Sequence, residues 1–210
     1  MVKDFTTNML GENCYVFSHN GEAAIIDCGA YSERHWLPIK KYIEAEGLTL
    51  RYCLLTHTHF DHIYGLTFVH RDFGLLPQCH QLDAALYASA DATCMSLMGE
   101  PFPNPQPALG SFLFDGQKLQ LGGTEIEVLH TPGHTVGGVC FYVKADGILF
   151  SGDTLFAGSI GRTDFPGGSM SQEINSIRTR LLVLPPDTKV FPGHGSYTTI
   201  QHEMACNPYF

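Results

Sequence analysis

The sequence has little positive charge and no long apolar run. Lysine and arginine account for 12 of its 210 residues against 21 acidic residues, which gives a formal net charge of −9. Nucleic-acid binding depends largely on lysine and arginine neutralising phosphates, so we do not expect a nucleic-acid partner. No run of about 18 apolar residues occurs, so no membrane span is predicted. The first five residues lack the apolar stretch of a secretory signal, and we therefore expect a cytoplasmic protein.

Paired cysteine motifs are also missing. The seven cysteines are an odd number, and no Cys-x-x-Cys pair occurs. Most of them lie beside apolar residues, as Cys53 does in Arg51-Tyr-Cys-Leu-Leu. This usage is typical of small buried hydrophobic residues in a reducing compartment.

What the sequence does contain is a succession of short apolar segments. Their composition and flanking turn residues predict strands at 12–18, 23–28, 50–56, 125–130, 138–144, 147–152 and 188–192. Helices are predicted at about 32–46, 62–73, 81–89 and 170–183, with a short one beginning near Thr198 or Thr199. Strands dominate the centre of each half, which favours helices packed outside two facing sheets, an α/β fold of the αββα sandwich type. No composition shift divides the chain, so we expect one domain over 1–210.

Residues 91–108 are predicted to form a loop, because they contain four prolines and little periodicity. The apolar side chains of this segment either fold over a pocket or pack on the core or on a second subunit; they are Met95, Leu97, Met98 and Phe102.

The strongest local signal is Thr56-His57-Thr58-His59-Phe60-Asp61-His62, which follows a predicted strand. Imidazole nitrogens and carboxylate oxygens are ligands for zinc and related divalent ions. His57 and His59 point the same way on an extended segment and can bind one ion. Asp61 and His62 lie where the chain turns into a helix, and could reach a second ion. The alternative is a polar turn without metal.

Three further ligand-type residues follow predicted strands. His134 lies in Thr131-Pro-Gly-His-Thr, Asp153 follows Ile148-Leu-Phe-Ser-Gly, and His194 lies in Val190-Phe-Pro-Gly-His-Gly. Strand ends in a layered fold converge on one edge, where loops carry function. Each residue alone could be a turn residue, but with the first motif they make a full ligand set.

Together, T-H-T-H-F-D-H, T-P-G-H-T, S-G-D-T-L-F and F-P-G-H-G resemble the metallo-β-lactamase superfamily, in matching order from residue 8 to residue 206. Within it, Gly152-Asp-Thr-Leu-Phe and Gly158-Ser-Ile-Gly-Arg-Thr-Asp-Phe look most like the glyoxalase II branch, the hydroxyacylglutathione hydrolases. The resemblance implies a four-layer αββα fold and two divalent metal ions, with zinc expected first and iron or manganese as alternatives.

The resemblance also implies roles for the seven residues. The first ion would be bound by His57, His59 and His134. The second would be bound by Asp61, His62 and His194, with Asp61 also expected to be catalytic. Asp153 would bridge both ions. The β-lactamases proper typically lack a carboxylate at the Asp153 position, so antibiotic hydrolysis is not expected.

Two departures from the glyoxalase II pattern affect the expected substrate. Those enzymes typically have about 250 residues or more, with a C-terminal helical segment that helps to bind glutathione, whereas this sequence ends at Phe210. The stretch Gly-Arg-Thr-Asp-Phe also occurs in persulfide dioxygenases. The better match is to short glyoxalase II-like proteins, and a neighbouring subunit in a homodimer could supply the missing wall.

The expected function is hydrolysis of a small acyl thioester through a metal-bridging hydroxide. One alternative is a mononuclear iron persulfide dioxygenase that uses His57, His134 and Asp153. Another is a metal-binding module without catalysis.

Candidate substrate contacts are Phe156 and Arg162. Arg162 would either meet a substrate carboxylate or pair with Asp164 to brace its loop. The remaining six histidines are predicted to be ordinary surface or core residues; they are His19, His35, His70, His80, His130 and His202.

Overall fold

Two β-sheets face each other in the computed structural model, which describes all 210 residues. The first sheet has five strands, in the order β1 (Val2–Thr6), β2 (Asn13–His19), β3 (Glu22–Ile26), β4 (Thr49–Leu54) and β5 (Pro77–Gln78). The second has six strands, in the order β13 (Thr198–Thr199), β12 (Lys189–Pro192), β9 (Ile148–Gly152), β8 (Val139–Val143), β7 (Thr124–His130) and β6 (Lys118–Leu121). A separate hairpin joins β10 (Leu155–Phe156) to β11 (Ser159–Ile160).

Helices cover the outer face of each sheet. The first sheet carries α1 (Glu33–Ala45), α2 (Phe60–Ile63), α3 (Leu66–Phe73), α4 (Ala84–Ala88) and α5 (Ala90–Met98). The second carries α6 (Met170–Ser176), which continues into a π-helical segment over Ile177–Leu181, and α7 (Ile200–Cys206). Short 3₁₀ segments cover Gln81–Asp83 and Lys144–Asp146. None of the helices has the length and apolar character that a membrane crossing requires.

The strands are apolar on both faces, because each sheet is covered on both sides. In β2, Val16 packs towards the helices while Phe17 packs between the sheets. In β8, Phe141 packs between the sheets and Cys140 packs towards α6 and α7. Three separate buried clusters therefore lie at the three interfaces of a four-layer αββα sandwich, and the predicted fold is confirmed.

The predicted loop over 91–108 was wrong in its first half, because α5 occupies Ala90–Met98. Ala90 and Cys94 are four residues apart and both buried, so one side of this helix packs on the core. The helix ends at Gly99, whose φ of 74° is left-handed, and all four prolines lie beyond it. The other predicted helices and strands occur with shifted ends, apart from the predicted helix over 62–73.

The predicted helix over 62–73 is divided between α2 and α3 at Gly65. A Cβ at Gly65 would lie 2.7 Å from Cys28 Sγ and 2.8 Å from Ala30 Cβ, so only glycine allows the chain to pass the end of β3 so closely. This close passage brings the His57–His62 segment against the first sheet.

Candidate metal centre

All seven predicted ligand residues come together at one edge of the two sheets. They follow the carboxyl ends of β4, β7, β9 and β12, at positions fixed by two buried sheets. Asp153 lies between the others: its Oδ2 atom is 3.6 Å from both His134 Nε2 and His194 Nε2, and its Oδ1 atom is 3.4 Å from His62 Nε2.

Two sets of three side chains could each hold a metal ion, with ligand atoms within 4.8 Å of one another. One set is His57, His59 and His134; the other is Asp61, His62 and His194. This is the same division that the resemblance implies. Asp153 contacts His134 of the first set and both histidines of the second.

A third set, Asp27 with His57 and His62, has a different explanation. The Asp27 carboxylate accepts from Thr56 N at 2.8 Å and from Thr56 Oγ1 at 2.6 Å, and it lies 3.1 Å from His62 Nδ1. Its oxygens are therefore already bound to protein donors. Asp27 fixes the ring of His62 so that Nε2 faces the other ligands.

Two more histidines are oriented by backbone carbonyls. His134 Nδ1 lies 2.7 Å from the Arg162 carbonyl oxygen, and His194 Nδ1 lies 3.2 Å from that of Leu10. Because a carbonyl oxygen only accepts, each Nδ1 donates its hydrogen and leaves the Nε2 lone pair directed at Asp153. Neutral imidazole in this tautomer is the form that binds metal.

Several buried ligand atoms have no hydrogen-bond partner within the protein. They are His57 Nε2, His62 Nε2 and Asp153 Oδ1. Buried polar atoms are nearly always paired, so three such atoms at one point indicate a missing partner. Nitrogen and carboxylate oxygen donors fit a divalent cation such as zinc, iron or manganese.

The electrostatics favour the protonation states of metal ligands in His57, His59 and Asp153. In His62 and His194, burial would lower the pKa, but neighbouring carboxylates outweigh it and raise the pKa. Burial lowers the pKa of His59 to about 3, and it lowers that of His57 well below its usual value. Burial alone would raise the pKa of Asp153, but the neighbouring His62 outweighs it and holds the carboxyl ionised. Neutral imidazoles beside ionised carboxylates are what a metal ion requires.

Sequence reasoning missed Asp27, although its signal was present. Asp27 directly follows the apolar residues of β3, just as Asp153 follows those of β9. It was counted as the end of a strand. Its φ of 50° is unusual for a residue other than glycine, and such backbone conformations concentrate at functional sites.

Asp83 was also missed, and its sequence context carries no signal. It is fully buried, and its carboxylate accepts from Thr58 N at 3.2 Å, Thr135 Oγ1 at 3.0 Å and Gly137 N at 2.7 Å. Thr58 lies between His57 and His59, and Thr135 follows His134. One carboxylate therefore ties together the two loops that supply the first ligand set.

A segment near the N-terminus supports the second set. Asn8 Nδ2 donates to the Asp61 carbonyl oxygen at 2.9 Å, and Leu10 orients His194. Asn13 Nδ2 donates to the carbonyl oxygens of Pro192 at 3.1 Å and Gly195 at 2.9 Å, on both sides of His194. The second ligand set thus depends on residues distant in sequence.

A cavity of about 950 Å³ opens over the ligand residues. Both candidate substrate contacts, Phe156 and Arg162, line it. Arg162 forms two hydrogen bonds of 2.7 Å with Asp164, and its guanidinium lies 4.0 Å from the ring centroid of Phe165. The pairing that braces the loop is therefore present. None of the six other histidines joins a set of potential metal ligands.

The family model described as the metallo-beta-lactamase superfamily matches residues 8–194. The hydroxyacylglutathione hydrolase GloC of Haemophilus influenzae is 38% identical over 202 residues, covering 94% of this chain and 92% of that protein. A probable metallo-hydrolase of Bacillus subtilis, YqgX, is 36% identical, with 94% and 91% covered.

Solved structures give the same picture. The crystal structure of BLEG-1 B3 metallo-beta-lactamase has a TM-score of 0.90 at 36% identity, covering 100% of this chain and 99% of that one. That of TTHA1623 in a di-iron-bound form has a TM-score of 0.87 at 36% identity, with 99% and 100% covered. ETHE1 from Myxococcus xanthus, at 23% identity and a TM-score of 0.79, shares the fold; it covers 99% of this chain and 83% of that one.

Proposed function

The chain belongs to the metallo-β-lactamase superfamily, and from this premise we propose that it is a metal-dependent hydrolase of small acyl thioesters. The observation that carries the proposal is the position of Asp153, whose oxygens lie within 3.6 Å of histidine nitrogens from both ligand sets. A carboxylate so placed suits a binuclear centre. The hydrolase names of the relatives at 38% and 36% identity support the reaction class.

We assign the ligands as two sets with one shared member. The first ion would be held by His57, His59 and His134, the second by Asp61, His62 and His194, and Asp153 would serve both. Zinc is the proposed metal because imidazole and carboxylate ligands suit it. Iron is the first alternative, since a relative at 36% identity has been crystallised in a di-iron-bound form; manganese is the second.

The protein's own groups then have defined tasks. Divalent ions, when bound, lower the pKa of water and polarise the substrate carbonyl. Asp61 Oδ2 lies 3.2 Å from His194 Nε2 and contributes negative charge to the second set. The cavity walls orient the acyl group over Asp153 and restrict bulk water. A thiolate leaves readily, because thiols have a pKa of about 8.5, so no general acid is required.

The length of the chain is also compatible with thioester hydrolysis. Full-length glyoxalase II is longer than this chain, but GloC, named as a hydroxyacylglutathione hydrolase, is of nearly equal length, since the alignment covers 92% of it. A short chain is therefore compatible with that activity.

The two alternatives from the sequence receive less support. A mononuclear dioxygenase site would leave the buried set of Asp61, His62 and His194 without a role, and the likeness to ETHE1 at 23% identity concerns the fold alone. A binding module without catalysis would not need the open cavity above the ligands.

Hydrolysis of β-lactams is a second candidate function. The carboxylate at position 153 made this activity unexpected from the sequence, because β-lactamases typically lack it. The structure of the B3 metallo-beta-lactamase nevertheless matches the whole chain with a TM-score of 0.90. The purified protein should be assayed with a chromogenic cephalosporin beside the thioesters. A kcat/KM above that for every thioester would make lactam hydrolysis the main activity.

The test of the proposed function combines metal analysis with product analysis. We expect two ions per chain, release of acid and thiol from S-lactoylglutathione, and no oxygen consumption with glutathione persulfide. One iron per chain together with oxygen uptake would instead establish the dioxygenase. Asp153→Asn should abolish hydrolysis, whereas Asp187→Asn, at an exposed residue outside the cavity, serves as the matched control.

A further inference from the structure

The cavity has apolar walls on both sides of the ligand residues, which thioester hydrolysis does not by itself require. We infer that it binds an apolar acyl chain, held between α5 and the segment from Phe156 to Pro166. This inference rests on the proposed function, because it names the class of thioester that the same site takes. Three features support it: the side of α5 that faces the cavity, the aromatic residues of the other wall, and the scarcity of free positive charge.

Helix α5 presents one side to the core and the other to the cavity. Ala90 and Cys94 are buried in the first cluster. Ala92, Thr93, Ser96 and Leu97 line the cavity, at the i, i+1, i+4 and i+5 positions that share one side of a helix. Ala92 and Ser96 are small, and Leu97 in the last turn provides an apolar contact.

The opposite wall is aromatic and begins at the ligands themselves. Phe165 and His59 form a T-shaped ring pair, with centroids 5.6 Å apart. Phe156 lies near His194, with centroids 6.5 Å apart, and Ile160 completes the wall. A substrate carbonyl placed at the ligand residues would therefore have apolar surface on both sides of its acyl group.

The cavity offers few groups for an anionic substrate. No lysine lines it, and its single arginine, Arg162, already pairs with Asp164. The carboxylates of a glutathione moiety gain little here, whereas each methylene of an apolar chain gains from leaving water.

The experiment varies only the acyl chain. Straight-chain thioesters of N-acetylcysteamine, a neutral thiol, are compared from acetyl to hexanoyl. Burial of a methylene is worth about fourfold in kcat/KM, so we expect a rise of roughly 250-fold over four methylenes. Leu97→Ser should lower kcat/KM about fivefold for hexanoyl, and less for each shorter chain.

Met95→Ser is the matched control. Met95 lies on the same helix and is 48% exposed against 49% for Leu97, but it does not line the cavity. It should therefore leave the chain-length profile unchanged. An equal loss in both variants would overturn the inference, because it would indicate damage to the helix rather than to a binding wall.

A binding measurement separates this inference from the proposed reaction. Ketone analogues, in which a methylene replaces the thioester sulfur, are titrated by calorimetry. Affinity that rises with chain length and falls in Leu97→Ser supports the acyl site, whether or not thioesters are hydrolysed. Absence of hydrolysis alongside such binding would overturn only the proposed function. A flat profile in both hydrolysis and binding overturns the acyl site and leaves thioester hydrolysis standing.

Discussion

Asp153 carries its charge in a buried position where a carboxylate would ordinarily be unfavourable. Its pKa is held well below the usual value because His62 outweighs the effect of burial. In Asp153→Asn the side chain keeps its shape but loses the charge that, in the proposed centre, two cations would share. We expect metal content to fall below one ion per chain and hydrolysis to fall at least a hundredfold, as measured by elemental analysis and initial rates. Two tightly bound ions in this variant would contradict a shared ligand.

Asp61 belongs to one ligand set only, so its removal should act on that set. In Asp61→Ala we expect the second ion to be lost while His57, His59 and His134 keep the first. Turnover should fall at least a hundredfold, with the thermal midpoint changing by only a few degrees. Elemental analysis that shows equal loss of both ions, or full activity with one, would refute this division of ligands.

Asp83 never reaches the cavity, yet it positions the first ligand set. In Asp83→Ala the backbone N–H groups of Thr58 and Gly137 lose their acceptor in a buried place, at a cost of about 3 kcal/mol in the free energy of unfolding. Metal affinity of the first set should fall by about 10- to 100-fold, as is typical when a partner that orients ligands is lost. Denaturant titration and competition with a chelator measure the two effects.

The exposed Asp187→Ala is the control for Asp83, because that carboxyl has no hydrogen bond to lose. A loss of stability without a loss of metal affinity would show that Asp83 acts on the fold alone.

At the scale of elements, α1 and α3 are joined by Asp72. Its carboxylate accepts from Trp36 Nε1 at 2.8 Å and lies 3.2 Å from Lys40 Nζ. Hydrogen bonds from Arg71, and then from Trp36 and Lys40, hold the pKa of Asp72 below its usual value. A depressed folded-state pKa stabilises the protein above the unfolded pKa of about 3.9, and this contribution is lost as the pH falls below it.

Asp72→Asn should therefore lower the thermal midpoint by roughly 2–4 °C at pH 7, which corresponds to about 1 kcal/mol in a chain of this size. The difference from the unsubstituted protein should shrink between pH 4 and pH 2. Scanning calorimetry across that range tests the sign. A constant difference would mean that the charge of Asp72 is irrelevant to the contact.

Among the strands and helices, some could be predicted from the sequence and others could not. The strands β2, β3, β8 and β9 were predictable because both faces are buried and their apolar runs are continuous. The edge strands β1 and β6 were not, since β1 is largely exposed and β6 has only four residues. Helix α5 was hidden by prolines that follow it, so the wall of the cavity was assigned to a loop.

The residues of the site also differ in how far the sequence could predict them. The proposed ligand residues could be predicted from the sequence because histidine and aspartate after an apolar strand are conspicuous. The residues that orient them, such as Asp83 and Asn8, could not be predicted, because their partners are distant in sequence. The backbone groups that Asp83 accepts from lie 25 and 54 residues away, and the carbonyl oxygen that Asn8 donates to lies 53 residues away. Only the folded chain brings them to the ligands.

For the molecule as a whole, we propose that residues 1–210 form one domain, because the two sheets share the cluster between them. None of the three clusters contains a ligand residue, so we expect the fold to survive chelation. Metal bound at a thousandfold excess over its Kd adds about 4 kcal/mol, and removing it should lower the thermal midpoint by roughly 8–16 °C. Complete unfolding of the chelated protein, measured by circular dichroism, would contradict this expectation.

The contacts of Asn13 and Tyr15 with the Pro192 carbonyl oxygen span 179 and 177 residues of sequence. During synthesis, the His57–His62 segment leaves the ribosome well before the segment that carries His194. At about 5–20 residues per second, the interval of 132 residues lasts roughly 7–26 s. A nascent chain can therefore display one half of the centre while the other half does not yet exist. Correct metal loading is then a matter of timing as well as of affinity, since an ion captured early meets an incomplete set of ligands.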